Sequence, residues 1–280
     1  MRIVAPVTDL DEARSVLRAG ADELYLGAMF DDWARDFGED AWLTRRQGRT
    51  AHVRSREVLR AIVAETKAAG RDVFLACNAR YTVAVLDRVH DLLADFEAMG
   101  GDGAILTEPV LMARLRRDGS RLIPVVSSLA NVTNSASARF FAALGARRIV
   151  LPGHLSFAGA SAFTGALVDL EFEWLAVYRP CAFVDGLCGF HHALRLPSDI
   201  AAEYDHDSNG DTFALLPSYA GHGCQLLGSS GRAPSPAKQP LPNKDHLRQI
   251  RITHLKIAGR GEEIAATMEA IKALRQAYGD

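Results

Sequence analysis

The sequence predicts a (β/α)8 TIM-like barrel, regular or distorted, with residues 1–280 forming a single barrel domain. Three observations predict it. Short apolar runs alternate with longer stretches of helical period, eight times over 280 residues. The strands read as apolar on both faces, the mark of a parallel sheet covered by helices. The first five helical stretches each stop at a glycine (Gly20, Gly70, Gly100, Gly119, Gly145), the residue that most easily takes the left-handed turn closing a helix. Eight units suit a closed barrel better than an open doubly wound sheet.

The elements follow in order. RIVAPV is the first strand, and TDLDEARSVLRAGA its helix, with Asp9 or Thr8 at the N-cap. ELYLGA is the second strand, separated by a polar loop from the helix SREVLRAIVAETKAAG. DVFLACNA and VAVLDRVHDLLADFEAMGG make the third pair, GAILTE and EPVLMARLRRDG the fourth. LIPVVSSLA precedes NSASARFFAALGA, and RRIVLPG precedes SFAGASAFTGAL. LEFEWLAV is the seventh strand, THLKIAG the eighth, and RGEEIAATMEAIKALRQAYG the last helix. Between strands seven and eight the rhythm breaks. Residues 179–250 include SNGD and the proline-rich SPAKQPLPNK, and show little helical period. In a barrel this stretch is a rim insertion on the C-terminal face, where active sites are built.

Composition narrows the function. A hydrophobic content of 48% supports a sizeable core, and a net charge of -2 gives no push toward nucleic acid or an anionic membrane. The first residues, MRIVAPVTDLDEARS, lack the apolar run of a secretion signal, and no 18-residue apolar stretch exists for a membrane span. A cytoplasmic location is expected, where structural disulfides are rare.

That expectation bears on the four cysteines. Cys77 ends the third strand, Cys181 and Cys188 follow the seventh, and Cys224 lies in the same long insertion. The barrel places all four at its C-terminal mouth. Four thiolates fit tetrahedral zinc or a 4Fe-4S cluster. The spacing lacks the close Cys pairs of structural zinc, while His191 and His192 keep a mixed Cys/His zinc site open. Buried, unliganded thiols packing as small hydrophobes are the plain alternative.

Two basic groups also sit near the rim. Arg45, Arg46, Arg49, Arg54 and Arg56 in TRRQGRTAHVRSR suit an anionic ligand, or simply balance the acids of FDDWARDFGED. Lys256 and Arg260 flank the end of strand eight beside Gly259 and Gly261, at a frequent phosphate site of barrels. His154, His191 and His192 are candidate acids or bases near neutral pH. The sequence carries neither H-E-x-x-H nor G-x-S-x-G.

Several segments in one order resemble the peptidase U32 family, the collagenase-like group that includes ubiquinone- and RNA-hydroxylation members. These are GADELYLGAMFDDWARDF, FLACNARY, VVSSLANVTN, PCAFVDGLCGFH and HLKIAGR. The resemblance implies a barrel, and in many members a 4Fe-4S cluster with oxygen-independent hydroxylation. Cys181, Cys188 and Cys224 match three family ligands in order. Cys77 is the fourth candidate, by elimination and rim position. The family positions also point to Arg35, Asn78, Asn131, Lys256 and Arg260 as substrate-binding residues. Leu129 stands where the family has Gln, Ala258 where it has Glu, and Gly153 with His154 replaces an Arg-Glu pair.

The expected function is therefore an iron–sulfur protein performing oxygen-independent hydroxylation or related redox chemistry. Its substrate is small or carrier-bound, and it works with a protein partner or electron donor and without a membrane. A metal-dependent or thiol peptidase is one alternative, and a non-catalytic scaffold or accessory subunit stabilised by metal is another.

Overall fold

The computed structural model describes residues 1–37, 43–44, 49–178 and 243–279. Eight parallel strands close into a barrel in the order β1 to β8. They are β1 (Arg2–Pro6), β2 (Glu23–Leu26), β3 (Asp72–Cys77), β4 (Gly103–Leu106), β5 (Ile123–Val126), β6 (Arg148–Val150), β7 (Glu171–Val177) and β8 (Ile252–Ile257). Pairing of Arg2, Ile3 and Val4 with His254, Leu255 and Lys256 closes the ring. The outer helices are α1 (Leu10–Ala19), α2 (Asp31–Phe37), α3 (Arg56–Ala68), α4 (Val83–Ala98), α5 (Pro109–Arg117), α6 (Ser135–Ala143), α7 (Phe157–Thr164), α8 (Lys244–Gln249) and α9 (Ile264–Tyr278).

Local chemistry explains the boundaries. Asp9 caps α1 by accepting from the Glu12 amide at 2.8 Å, while the Glu12 carboxylate accepts from the Thr8 amide at 2.6 Å. The predicted stops Gly20, Gly70, Gly100, Gly119 and Gly145 all have positive φ, where a side chain would be strained. Two helices differ from the sequence reading. The polar loop after β2 contains α2, and α8 occupies the end of the stretch read as irregular. Both are short, α2 with seven residues and α8 with six, so each offers too few turns for a helical period to stand out.

Two apolar layers result. The larger lies between sheet and helices and includes Leu24, Leu26, Leu75, Cys77, Leu93 and Phe172. The smaller fills the lumen with Val4, Tyr25, Phe74, Ala76, Ile105, Val125 and Val150, with Leu175 against them. The alternation of strand side chains produces this division, so neighbours such as Ala76 and Cys77 fall on opposite sides of the sheet.

Candidate functional site at the barrel mouth

The strands are not apolar on both faces throughout. Glu23 on β2, Arg148 on β6, Glu173 on β7, and His254 and Lys256 on β8 are all buried, and they form one ionic column. Arg148 donates two hydrogen bonds to Glu23, at 2.9 and 2.7 Å. Its Nε lies 3.2 Å from Glu173 Oε2, yet out of line for a hydrogen bond. Glu173 Oε1 accepts from Lys256 Nζ at 2.7 Å. Phe74 supports Arg148, whose guanidinium carbon lies 4.7 Å from the ring centroid. Two carboxyl groups thus face a guanidinium and a lysine amine, the kind of pairing that buried ionisable groups require.

Irregular pairing sets the position of this column. The β7–β8 register shifts between Phe172 and Glu173 and again between Leu175 and Val177. Between these shifts, Glu173 pairs with His254 and Leu175 with Lys256. Such irregularities re-aim side chains near sites. Electrostatics follow from burial and neighbours. Burial works against the Glu173 carboxylate, but Lys256 and Arg148 outweigh it and hold its pKa at about 2. Burial raises the Glu23 carboxyl despite Arg148. Burial, helped by Arg148, pushes His254 down to about 3, so its imidazole is neutral at ordinary pH. Burial also lowers Lys256, with Glu173 opposing it.

Lys256 is 7% exposed. Its ammonium uses one N–H on Glu173 and lies 3.8 Å from the Tyr25 ring centroid. An ammonium has three donors, and the third finds no protein acceptor among the described residues. Tyr25 is itself fixed, donating its hydroxyl to the Ile257 carbonyl at 3.1 Å.

Arg260 follows β8 and donates to Thr44 Oγ1 at 3.0 Å. Thr44 Oγ1 also lies 3.0 Å from His52 Nε2, tying the loop after β2 to the turn after β8. The guanidinium fills the place a side chain would take at Gly27: a Cβ there would sit 1.7 Å from Arg260 Nη1. Glycine at this position is therefore a packing requirement.

On the other side of the mouth, Asn78 Nδ2 donates to Ser127 Oγ at 3.1 Å, and the Thr107 hydroxyl donates to the Asn78 carbonyl at 3.1 Å. Asn131 adopts the left-handed conformation with φ 56°. Its side-chain oxygen is buried and finds no hydrogen-bond partner among the described residues. Several of the quoted sequence segments thus converge here: Tyr25 and Gly27 meet Lys256 and Arg260, while Asn78 meets Ser127.

Some of the other candidates are among the described residues. The Arg35 side chain is 74% exposed on α2 and pairs with Asp36 at 3.2 Å. His154 is exposed in the turn after β6. Arg54 and Arg56 pair with Asp31 at 2.6 Å and Asp32 at 2.8 Å, as expected of a loop balancing its acids. Cys77 belongs to the layer between sheet and helices, and burial pushes its thiol up to about 12. Cys181, Cys188, Cys224, His191 and His192 lie outside the described residues, as do Arg45 and Arg46.

The sequence reading missed Glu23, Arg148, Glu173 and His254. Their signal was present as spacing: Glu23 and Tyr25, Glu171 and Glu173, and His254 and Lys256 are each two apart. Polar residues at that interval in a strand share one face.

The sequence model of peptidase family U32 matches residues 8–201, well over half of the chain. The chain belongs to the peptidase U32 family. The structure of the U32 peptidase Mk0906 superposes with a TM-score of 0.59 at 16% identity, covering 94% of this chain and 94% of that one. A 2,3-dimethylmalate lyase of the PEP mutase/isocitrate lyase superfamily superposes with a TM-score of 0.50 at 16% identity, over 98% of this chain and 80% of that one. At such identities the likeness is one of fold. No curated protein sequence matches the chain significantly. The U32 match covers the column residues of β2, β6 and β7 as well as Cys181 and Cys188, whereas Lys256 and Arg260 lie beyond it.

Proposed function

We propose that this U32 protein is an iron–sulfur enzyme that performs redox chemistry of the oxygen-independent hydroxylation kind on a small or carrier-bound anionic substrate held at the barrel mouth. The observation that carries the substrate part is Lys256, a buried ammonium with a donor to spare, near the end of β8 and four residues before Arg260. Both cations come from one short segment, so a single bound anion can meet the two. Asn78 and Asn131, on the opposite side, supply an amide pair for orientation.

The iron–sulfur part rests on the family resemblance of Cys181, Cys188 and Cys224. Cys181 follows the last residue of β7 by four positions, and β7 ends at the mouth. Cys77 is the weaker candidate for that ligand set, because its thiol packs in the layer between sheet and helices. His191 or His192 takes the fourth place in this reading. The cluster supplies electron transfer; the chain's own residues bind and orient the anion and exclude water from it. The same buried thiol is a poor nucleophile at neutral pH, which leaves a thiol peptidase without support from Cys77.

Calorimetry with oxalate and inorganic phosphate as probes tests the binding site. Saturable binding should weaken about tenfold or more in Arg260→Ala and in Lys256→Met, the loss expected for one charge-assisted hydrogen bond. Equal binding by the wild type and both folded variants would remove the anion site.

A further inference from the structure

We propose that Glu173 is a positioning residue that holds the Lys256 side chain at the mouth as an ammonium and directs its remaining N–H to the ligand. The inference rests on the anion site proposed above and names the group that regulates it. Three observations support it. Glu173 is fully buried and 2.7 Å from Lys256 Nζ, so it fixes one donor direction. The Tyr25 face at 3.8 Å fixes a second side of the ammonium. Glu173 is itself anchored, with its other oxygen 3.2 Å from Arg148 Nε, and Arg148 is anchored in turn by Glu23. A lysine carries a flexible four-carbon stem. Here the carboxylate and the ring together remove most of that freedom.

The charge state follows from the groups facing Lys256. Glu23 and Tyr25 approach from β2, Arg148 from β6, Glu173 from β7, His254 from its own strand, and Arg260 from the turn beyond. Burial and Arg148 favour the neutral amine; Glu173, more than Glu23, favours the ammonium. His254 is neutral at ordinary pH and adds no charge. Glu173 is therefore the group whose loss changes the balance most. A residue acting only as a packing element would leave the titration of Lys256 untouched.

The test is the titration of the Lys256 amine, followed by NMR on protein carrying 15N at lysine Nζ and assigned with Lys256→Met. In Glu173→Gln, which keeps shape and loses charge, the midpoint should fall by about one pH unit or more, a tenfold change in the protonation equilibrium. Glu173→Asp should recover most of that shift. A midpoint in Glu173→Gln within a few tenths of the wild type would overturn the proposal. Should that variant fail to fold, the coupling is read from the other partner. The Glu173 carboxyl, followed through 13C-labelled glutamate, should titrate higher in Lys256→Met than in the wild type. An unchanged Glu173 titration would overturn the proposal equally. Shifted midpoints without oxalate or phosphate binding would retain the Glu173–Lys256 coupling and remove the anion site instead.

Discussion

The lumen has two unlike halves. On β1, β3, β4 and β5 it is lined by Val4, Phe74, Ala76, Ile105 and Val125, and is held together by packing. On β2, β6, β7 and β8 it carries Glu23, Arg148, Glu173, His254 and Lys256, and is held by paired charge. The apolar half tolerates modest change in any one residue, because a lost methyl removes only its own contacts and leaves a small cavity. In the ionic half each residue is a condition for its neighbours, because removing one partner leaves a buried charge uncompensated. The difference teaches that the two sets of strands are held by different forces: paired charge runs from Glu23 and Arg148, at the starts of their strands, up to Lys256 near the mouth, while the other strands rely on ordinary packing.

The largest break in that comparison is Arg148→Met. It leaves Glu23 and Glu173 without their shared cation and should cost roughly 3–5 kcal/mol in denaturant unfolding. Ile105→Val, in the apolar half, should cost only about 0.5–1.5 kcal/mol. Equal costs for the two would mean that the column adds no special constraint.

Gly27→Ala comes next. Its Cβ would collide with Arg260 Nη1, so the guanidinium must leave its place and oxalate binding should fall as it does in Arg260→Ala. Unaltered binding in Gly27→Ala would show that the position of Arg260 does not matter.

Acid should weaken the ionic half selectively. The unfolded chain takes up a proton at His254 near the ordinary 6.5, whereas the folded protein resists until about 3. Between those values the unfolded state binds more protons, so stability rises with pH and is lost on acidification. Glu173, held at about 2 against an ordinary 4.5, adds a loss of the same sign at lower pH. Glu23, with its raised pKa, works in the opposite direction above 4.5. Unfolding midpoints measured from pH 7 to pH 3 should therefore decline, and His254→Asn should flatten the decline below pH 6.5. Parallel curves for the two proteins would contradict this account of His254.

The barrel itself was legible because its signals are local and repeated. Apolar runs, helical periods and glycine stops each depend on a few adjacent residues, and all eight strands lie where those runs fall. The site was only partly legible. Lys256, Arg260 and Asn78 were reached through motif resemblance; the first two approach the Tyr25 ring, while Asn78 bonds to Ser127 on the other side. The column was missed because pairing Arg148 with Glu23 joins residues far apart in sequence, and a charge in a strand gains meaning only when its partner is known. Arg35 shows the reverse: it matches a family segment, yet α2 carries it outward to Asp36. Cys77 lies at the expected strand end, but the two-residue alternation of β3 turns its thiol toward the helices.

The smallest effect should come from Arg35→Ala. The side chain is exposed and its pair with Asp36 is a surface one, so stability should change by no more than about 0.5 kcal/mol. Oxalate binding should stay at the wild-type level. A marked loss of binding would place Arg35 back in the site.

The central claim, that an iron–sulfur centre works beside this mouth, is met most directly by iron and acid-labile sulfide analysis of protein purified without oxygen. The account predicts a brown protein with iron and sulfide in equal amounts, lost in Cys181→Ala and Cys188→Ala and retained in Cys77→Ala. Wild-type protein that binds zinc or no metal under those conditions would contradict it.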